Sequence, residues 1–134
     1  MKKRNYALER SFADEGVILF DALLDDAINS RLVFDTGASH TTIDSNALII
    51  AGYDLSDNQE SVEVETSNGV IVVTIVLLRK IEAFGIARND FSVQVYDFFA
   101  HGIVSEYEGV LGLDFLDKEH FCLDLNKNQI TIFE

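Results

Sequence analysis

Residues 32–44 read Leu-Val-Phe-Asp-Thr-Gly-Ala-Ser-His-Thr-Thr-Ile-Asp, and the fourth of them is the side chain best suited to chemistry. Asp35 closes the apolar run Leu32-Val33-Phe34, which carries it toward an interior. A carboxylate in such a place is costly unless it is paired or hydrogen-bonded. The plain explanation is a turn, in which Asp-Thr-Gly follows a strand and the aspartate accepts backbone N–H bonds. The sharper one is proton transfer by a carboxylate whose charge state a neighbouring group controls. Two further features favour chemistry. Ala38-Ser39-His40-Thr41-Thr42-Ile43 continues with small and β-branched residues, as a buried loop does. Much later, Val110-Leu111-Gly112 sets two bulky apolar residues and a glycine before a stretch that reads as a short helix.

This combination resembles the retropepsin-like aspartic proteases, and the likeness runs through most of the chain. In that family a strand-borne Asp-Thr-Gly-Ala loop is cradled by a later segment of two hydrophobic residues and a glycine. Phe34 to Ser39 match the loop, and Glu108 to Leu116 match the second motif with its helix. Thr66-Ser67-Asn68-Gly69 is similar to the tip of the hairpin that serves as a flap, and Asp124 with Ile130 to Phe133 fits the closing strand. The resemblance implies an all-β fold, a closed acid-protease barrel with a flap hairpin and one or two short helices. It implies no cofactor and no metal.

The implied chemistry is peptide hydrolysis by two carboxylates sharing a proton, since like charges so close cannot both ionise. The charged one takes a proton from water, and the protonated one polarises the scissile carbonyl. The chain has one Asp-Thr-Gly and is too short for a two-lobed enzyme, so the dyad requires Asp35 from each of two copies. By the same resemblance Thr36 holds the two loops together and Gly37 lets backbone approach the carboxylates, with Ala38 and Ser39 completing the loop. Val110, Leu111 and Gly112 cradle it. Ser67, Asn68 and Gly69 close over an extended peptide lying as an added strand. Retroviral members usually carry Asp two residues after the loop glycine, paired with an Arg after the later glycine. Ser39 and Leu113 occupy those positions here, so apolar contacts must replace that polar support.

Other residues have quieter readings. Asp114 is placed to cap the helix expected over 113–119. His40 follows the loop and reads as a packed or surface histidine before it reads as a site residue. Glu60, Glu63 and Glu65, with Asp57, read as a solvated face, or more sharply as a preference for basic substrates.

The elements that must position Asp35 are mostly strands. Val17 to Leu24 is short and apolar, 25–30 supplies turn residues, and Arg31 to Phe34 returns as the second strand of a hairpin that delivers Asp35. Ser61 to Thr66 alternates, Asn68-Gly69 suits a hairpin turn, and Val70 to Leu78 is rich in β-branched residues. Phe91 to Tyr96, Phe121 to Leu125 and Gln129 to Phe133 complete the strands. Asp44 or Ser45 caps a short helix through Ala51, with Gly52 beyond its end.

The 134 residues read as one domain, 1–134, forming a half-site that dimerisation completes. The net charge of −13 and the lone basic cluster Lys2-Lys3-Arg4 argue against nucleic acid as a partner. No stretch is long and apolar enough for a membrane helix, and no apolar h-region follows the basic start, so a cytoplasmic protein is expected. Cys122, in the run His120 to Leu123, is expected to be a core thiol. The leading function is a homodimeric aspartic endopeptidase acting on extended peptides. The competing readings are a non-catalytic dimerisation or peptide-binding module that keeps the fold, and a structural barrel.

Overall fold

The structure is a computed structural model that describes residues 2–11, 16–56, 60–67, 69–103 and 105–134. In chain order its elements are β1 (Lys3–Ala7), β2 (Glu9–Ser11), β3 (Val17–Leu24), β4 (Ile28–Phe34), β5 (Thr42–Asp44), helix α1 (Ser45–Ile50), β6 (Glu60–Thr66), β7 (Gly69–Ala83), β8 (Ile86–Tyr96), a 3-10 turn at Phe99–His101, β9 (Gly109–Leu111), β10 (His120–Asp124) and β11 (Gln129–Phe133). Eight strands form one sheet in the order β2-β3-β4-β9-β5-β8-β7-β6. A further pairing of β3 with β7, Leu23 against Glu82 and Leu24 against Ile81, closes six of them into a barrel. The second sheet, β1-β11-β10, packs on the barrel's core.

The hairpin that delivers Asp35 forms as expected, with a tighter turn. β4 begins at Ile28, and the reversal rests on Asp25 and Asp26 at φ 54° and 59°. Aspartate tolerates that left-handed region better than most residues. Phe34, the last residue of β4, is buried, and its ring lies edge-on to Phe20, Phe84 and Phe121 at centroid distances of 6.5, 6.0 and 6.2 Å. Phe121 belongs to β10, so one aromatic side chain ties the end of β4 to both sheets. Asp35 is therefore mounted on a rigid point of the core.

Helix α1 keeps its expected bounds and cap. The Asp44 carboxylate accepts the Asn46 N–H, and Gly52 lies beyond the end at φ 93°. The helix expected over 113–119 does not form. That stretch is a succession of turns with N–H bonds to the third residue back, Phe115 to Gly112, Leu116 to Leu113 and Glu119 to Leu116. Lys118 at φ 69° interrupts any helical continuation. Cys122 is exposed and is not a core thiol. Strand alternation turns Phe121 and Leu123 toward the core, which leaves Cys122 on the outer face. β11 is the central strand of its sheet, and Ile130 and Ile132 are buried within the chain.

A polar clamp holds the barrel seam. The Tyr53 hydroxyl donates to the Asp25 carboxylate at 2.9 Å and accepts the Arg79 N–H at 3.0 Å. The Arg79 guanidinium pairs with Asp25 at 2.8 Å and lies 4.2 Å above the Tyr53 ring. The Lys80 N–H adds a bond to Asp25 at 3.1 Å. Burial first, and the Asp25 charge with it, push the Tyr53 phenol above its ordinary value, against the opposing effect of Arg79. The folded state thus favours the protonated phenol. Its contribution is complete below the ordinary tyrosine range and is lost as pH rises through that range toward the raised value. Tyr53→Phe should cost about 1–3 kcal/mol at neutral pH, because Asp25 and the Arg79 N–H each lose a partner. It should also blunt the loss of stability at alkaline pH. Urea unfolding of both proteins at neutral and alkaline pH checks this; equal pH slopes would contradict the clamp.

Candidate active site

The site follows from one pairing. β9 runs parallel to β4 in the register Leu32 with Gly109, Val33 with Val110 and Phe34 with Leu111. Two parallel strands in register end on the same side, so Asp35 and Gly112 emerge next to each other. The Asp35 N–H donates to the Leu111 carbonyl at 3.2 Å, one step beyond the ladder. β5 returns antiparallel on the other edge of β9, with Thr42 against Val110 and Ile43 against Gly109. The loop 35–41 therefore has to arch over Gly112.

That arch explains the glycine. A Cβ on Gly112 would lie 2.6–2.9 Å from the backbone atoms of His40, and backbone cannot swing aside. The loop is then tied down twice. The Leu113 N–H donates to the Ala38 carbonyl at 2.8 Å, and the Gly112 N–H donates to the Thr41 hydroxyl at 3.1 Å. Thr41 is fully buried, and its own hydroxyl donates to Asp114 at 2.7 Å while its N–H reaches the same carboxylate at 3.0 Å. Asp114 thus bonds across to the loop and caps no helix. Thr41 and Asp114 were not legible as a pair, because 73 residues separate them.

Within the loop, the Gly37 N–H donates to Asp35 Oδ1 at 2.8 Å, and the Ala38 N–H donates to the Asp35 carbonyl at 3.2 Å. A Cβ on Gly37 would stand 3.2 Å from that carboxylate oxygen, tighter than ordinary contact. Asp35, Thr36 and Gly37 are exposed, so the carboxylate sits at the barrel's surface rather than in its interior. The apolar run before it does enter the core and stops one residue short. Ser39 is exposed and meets the His40 ring Nδ1 at 2.9 Å; Leu113 is exposed as well. Leu111 and Gly112 are buried, and Val110 is half-buried between its neighbours.

Two concavities adjoin these elements. A cleft of about 310 Å3 opens at Asp35, with Arg10, Val17, Ile18, Val33 and Leu125 among its walls. Arg10 was not singled out from sequence. A second cleft of about 210 Å3 lies against the β6–β7 hairpin, between Thr66 and Ile71 on one side and Tyr96, His101 and Ile103 on the other. Burial, then the nearby Tyr107 and Asp44, raise the Tyr96 phenol above its ordinary value. The hairpin closes with Thr66 opposite Gly69, whose φ of 112° needs a glycine, and the Thr66 hydroxyl donates to the Gly69 carbonyl at 2.7 Å. Ser67 lies in the turn; Asn68 lies outside the described residues, as does Asp57. Glu60, Glu63 and Glu65 are exposed.

Residues 21–115, which hold β4, the Asp35 loop and β9, match the family model described as aspartyl protease. The chain belongs to the aspartyl protease family. Its fold is retropepsin-like: a crystal structure of a retropepsin-like aspartic protease from Rickettsia conorii superposes with a TM-score of 0.70, covering 98% of this chain and 91% of that one at 17% identity. No curated protein sequence matches the chain. Family and fold together support a protease-type function. Among the described residues, no helix is long and apolar enough to cross a membrane.

The arch over Gly112 has a measurable consequence for stability. Thr41→Val keeps the side chain's shape but strips the buried Gly112 N–H and the Asp114 carboxylate of a partner, and should cost about 1–3 kcal/mol. Gly112→Ala should cost more than Thr41→Val, since its methyl meets fixed backbone. Chemical unfolding of the two variants tests both; a Thr41→Val midpoint equal to wild type would contradict the network.

Proposed function

We propose that the protein is a homodimeric aspartic endopeptidase, in which residues 1–134 form one domain carrying half of the active site. The observation that carries this reading is the presentation of Asp35. It stands at the surface end of a rigid strand, with its loop held from beneath by Leu111 and Gly112 and its carboxylate oriented by the Gly37 N–H. One such carboxylate per chain suits a twofold arrangement, in which the same patch of both copies meets and the two aspartates face each other.

In that dimer the two carboxylates share a proton, because the second ionisation is opposed by the first. The charged carboxylate takes a proton from a water molecule, and the protonated one polarises the carbonyl that the water attacks. Thr36 is exposed beside Asp35, which supports a role for its hydroxyl in bonding the partner's loop. The peptide lies extended, fixed by main-chain bonds, and the β6–β7 hairpin with Ser67, Asn68 and Gly69 closes over it. Ser39 and Leu113 leave the dimer region without an ion pair at those positions, so its cohesion is largely apolar.

A non-catalytic dimerisation or peptide-binding module is the second reading. Asp35 faces solvent in the single chain, which suits a module as well as a half-site lacking its mate. Catalysis separates them. Wild type should cleave a denatured protein or a peptide library, and Asp35→Asn should lower the rate by about 10²–10⁴-fold with the dimer intact by sedimentation. Equal cleavage by both proteins would refute the mechanism, and full activity in a wild-type monomer would refute the shared site.

A further inference from the structure

The cleft at Asp35 contains a cation that the mechanism does not use. The sequence has five arginines. Four of them pair with carboxylates: Arg4 with Glu134, Arg31 with Glu9 and Asp21, Arg79 with Asp25, and Arg88 with Glu119. Arg10 has no carboxylate partner among the described residues, in a chain with 23 acidic side chains. It is half-buried at the wall of the 310 Å3 cleft that Asp35 also lines, and the two form no ion pair.

Its position is built rather than incidental. The Arg10 Nε–H donates to the Gly16 carbonyl at 2.8 Å, which fixes the plane of the guanidinium. Gly16 sits at φ 80°, and a Cβ there would be 3.2 Å from Arg10 Nη2, so the group lies against bare backbone. One of its donors is used, and the Nη groups, the pair that can grip both oxygens of a carboxylate, keep their hydrogens. Between Arg10 and Asp35 the walls are apolar: Val17, Ile18, Val33 and Leu125.

We propose that Arg10 is a specificity residue that selects peptide substrates bearing a glutamate-type side chain near the scissile bond. The apolar walls take the methylene stem and the guanidinium takes the carboxylate. A planar fork suits that geometry better than an ammonium does. This selection runs against the chain's net charge of −13, which repels acidic peptides at long range, so it is local. It also opposes the preference for basic substrates that the exposed Glu60, Glu63 and Glu65 suggest. The proposal rests on the endopeptidase reading.

The test is digestion of a peptide library, followed by kinetics on matched peptides differing only by Glu or Gln at the enriched position. Wild type should enrich glutamate at one position near the cut. Arg10→Gln should lower the Glu-to-Gln ratio of kcat/KM by about five- to tenfold, Arg10→Lys should lower it less, and Arg10→Glu should favour lysine there. Cleavage without acidic enrichment, or a preference that survives in Arg10→Gln, overturns the proposal and leaves the endopeptidase reading standing. If wild type cleaves nothing, that reading fails, and fluorescence anisotropy of the same peptides decides the site: tighter binding of the Glu peptide, lost in Arg10→Gln, supports it, and equal binding overturns it. An Arg10→Gln monomer beside a wild-type dimer would assign the carboxylate to the partner copy and overturn the substrate assignment.

Discussion

The parallel register of β4 and β9 is the constraint on which the rest depends. It requires Asp35 and Gly112 to leave the barrel side by side, and the antiparallel return of β5 then forces the intervening loop across the top of Gly112. Position 112 must lack a Cβ because His40 backbone passes within 2.6 Å of where one would be. At the end of that loop Thr41 is buried, and its hydroxyl becomes the joint that receives Gly112 and donates to Asp114. Asp35, at the other end of the loop, is exposed.

That exposure gives the proposed dimer its character. In most proteins a carboxylate at the end of an apolar strand is either buried with partners or dispersed on the surface. Here its backbone is rigidly held from within, while among the described residues its side chain is held only by the Gly37 N–H. Such a group is preorganised toward whatever meets that surface, and a second copy of the same loop is the self-complementary choice. The charge of −13 per chain makes any such association work against long-range repulsion, which salt reduces. Close apolar contact must outweigh it, and the exposed Leu113 beside the loop belongs to the surface available for that.

Much of this was legible in the residues. The short apolar run Val17 to Leu24 and the closing segment Gln129 to Phe133 form strands with the expected bounds, and Asp44 with Gly52 brackets the short helix. The Asp35 loop and the Val110-Leu111-Gly112 segment named the family because both motifs occur in order. The misses have physical causes. β1, β2, β5 and β9 are three to five residues long, and strands that short are defined by partners distant in sequence. Residues 113–119 have apolar positions that mimic a helix face, but Asp114 is drawn sideways to Thr41 and Lys118 adopts a positive φ. Cys122 and Asp35 were both assigned to the interior from apolar neighbours, where alternation and the end of a strand turn them outward. Arg10 gave no signal, because its lack of a carboxylate partner among the described residues exists only in three dimensions.

The central claim is that two copies of Asp35 form one reaction centre, and a crystal structure of the protein in the form that sediments as its solution species tests it most directly. The quantity to read is the separation of the Asp35 carboxylates. The account requires a twofold dimer with both side chains within hydrogen-bond reach of a single water. A monomer, or a dimer that holds the two aspartates on separate surfaces, would contradict it.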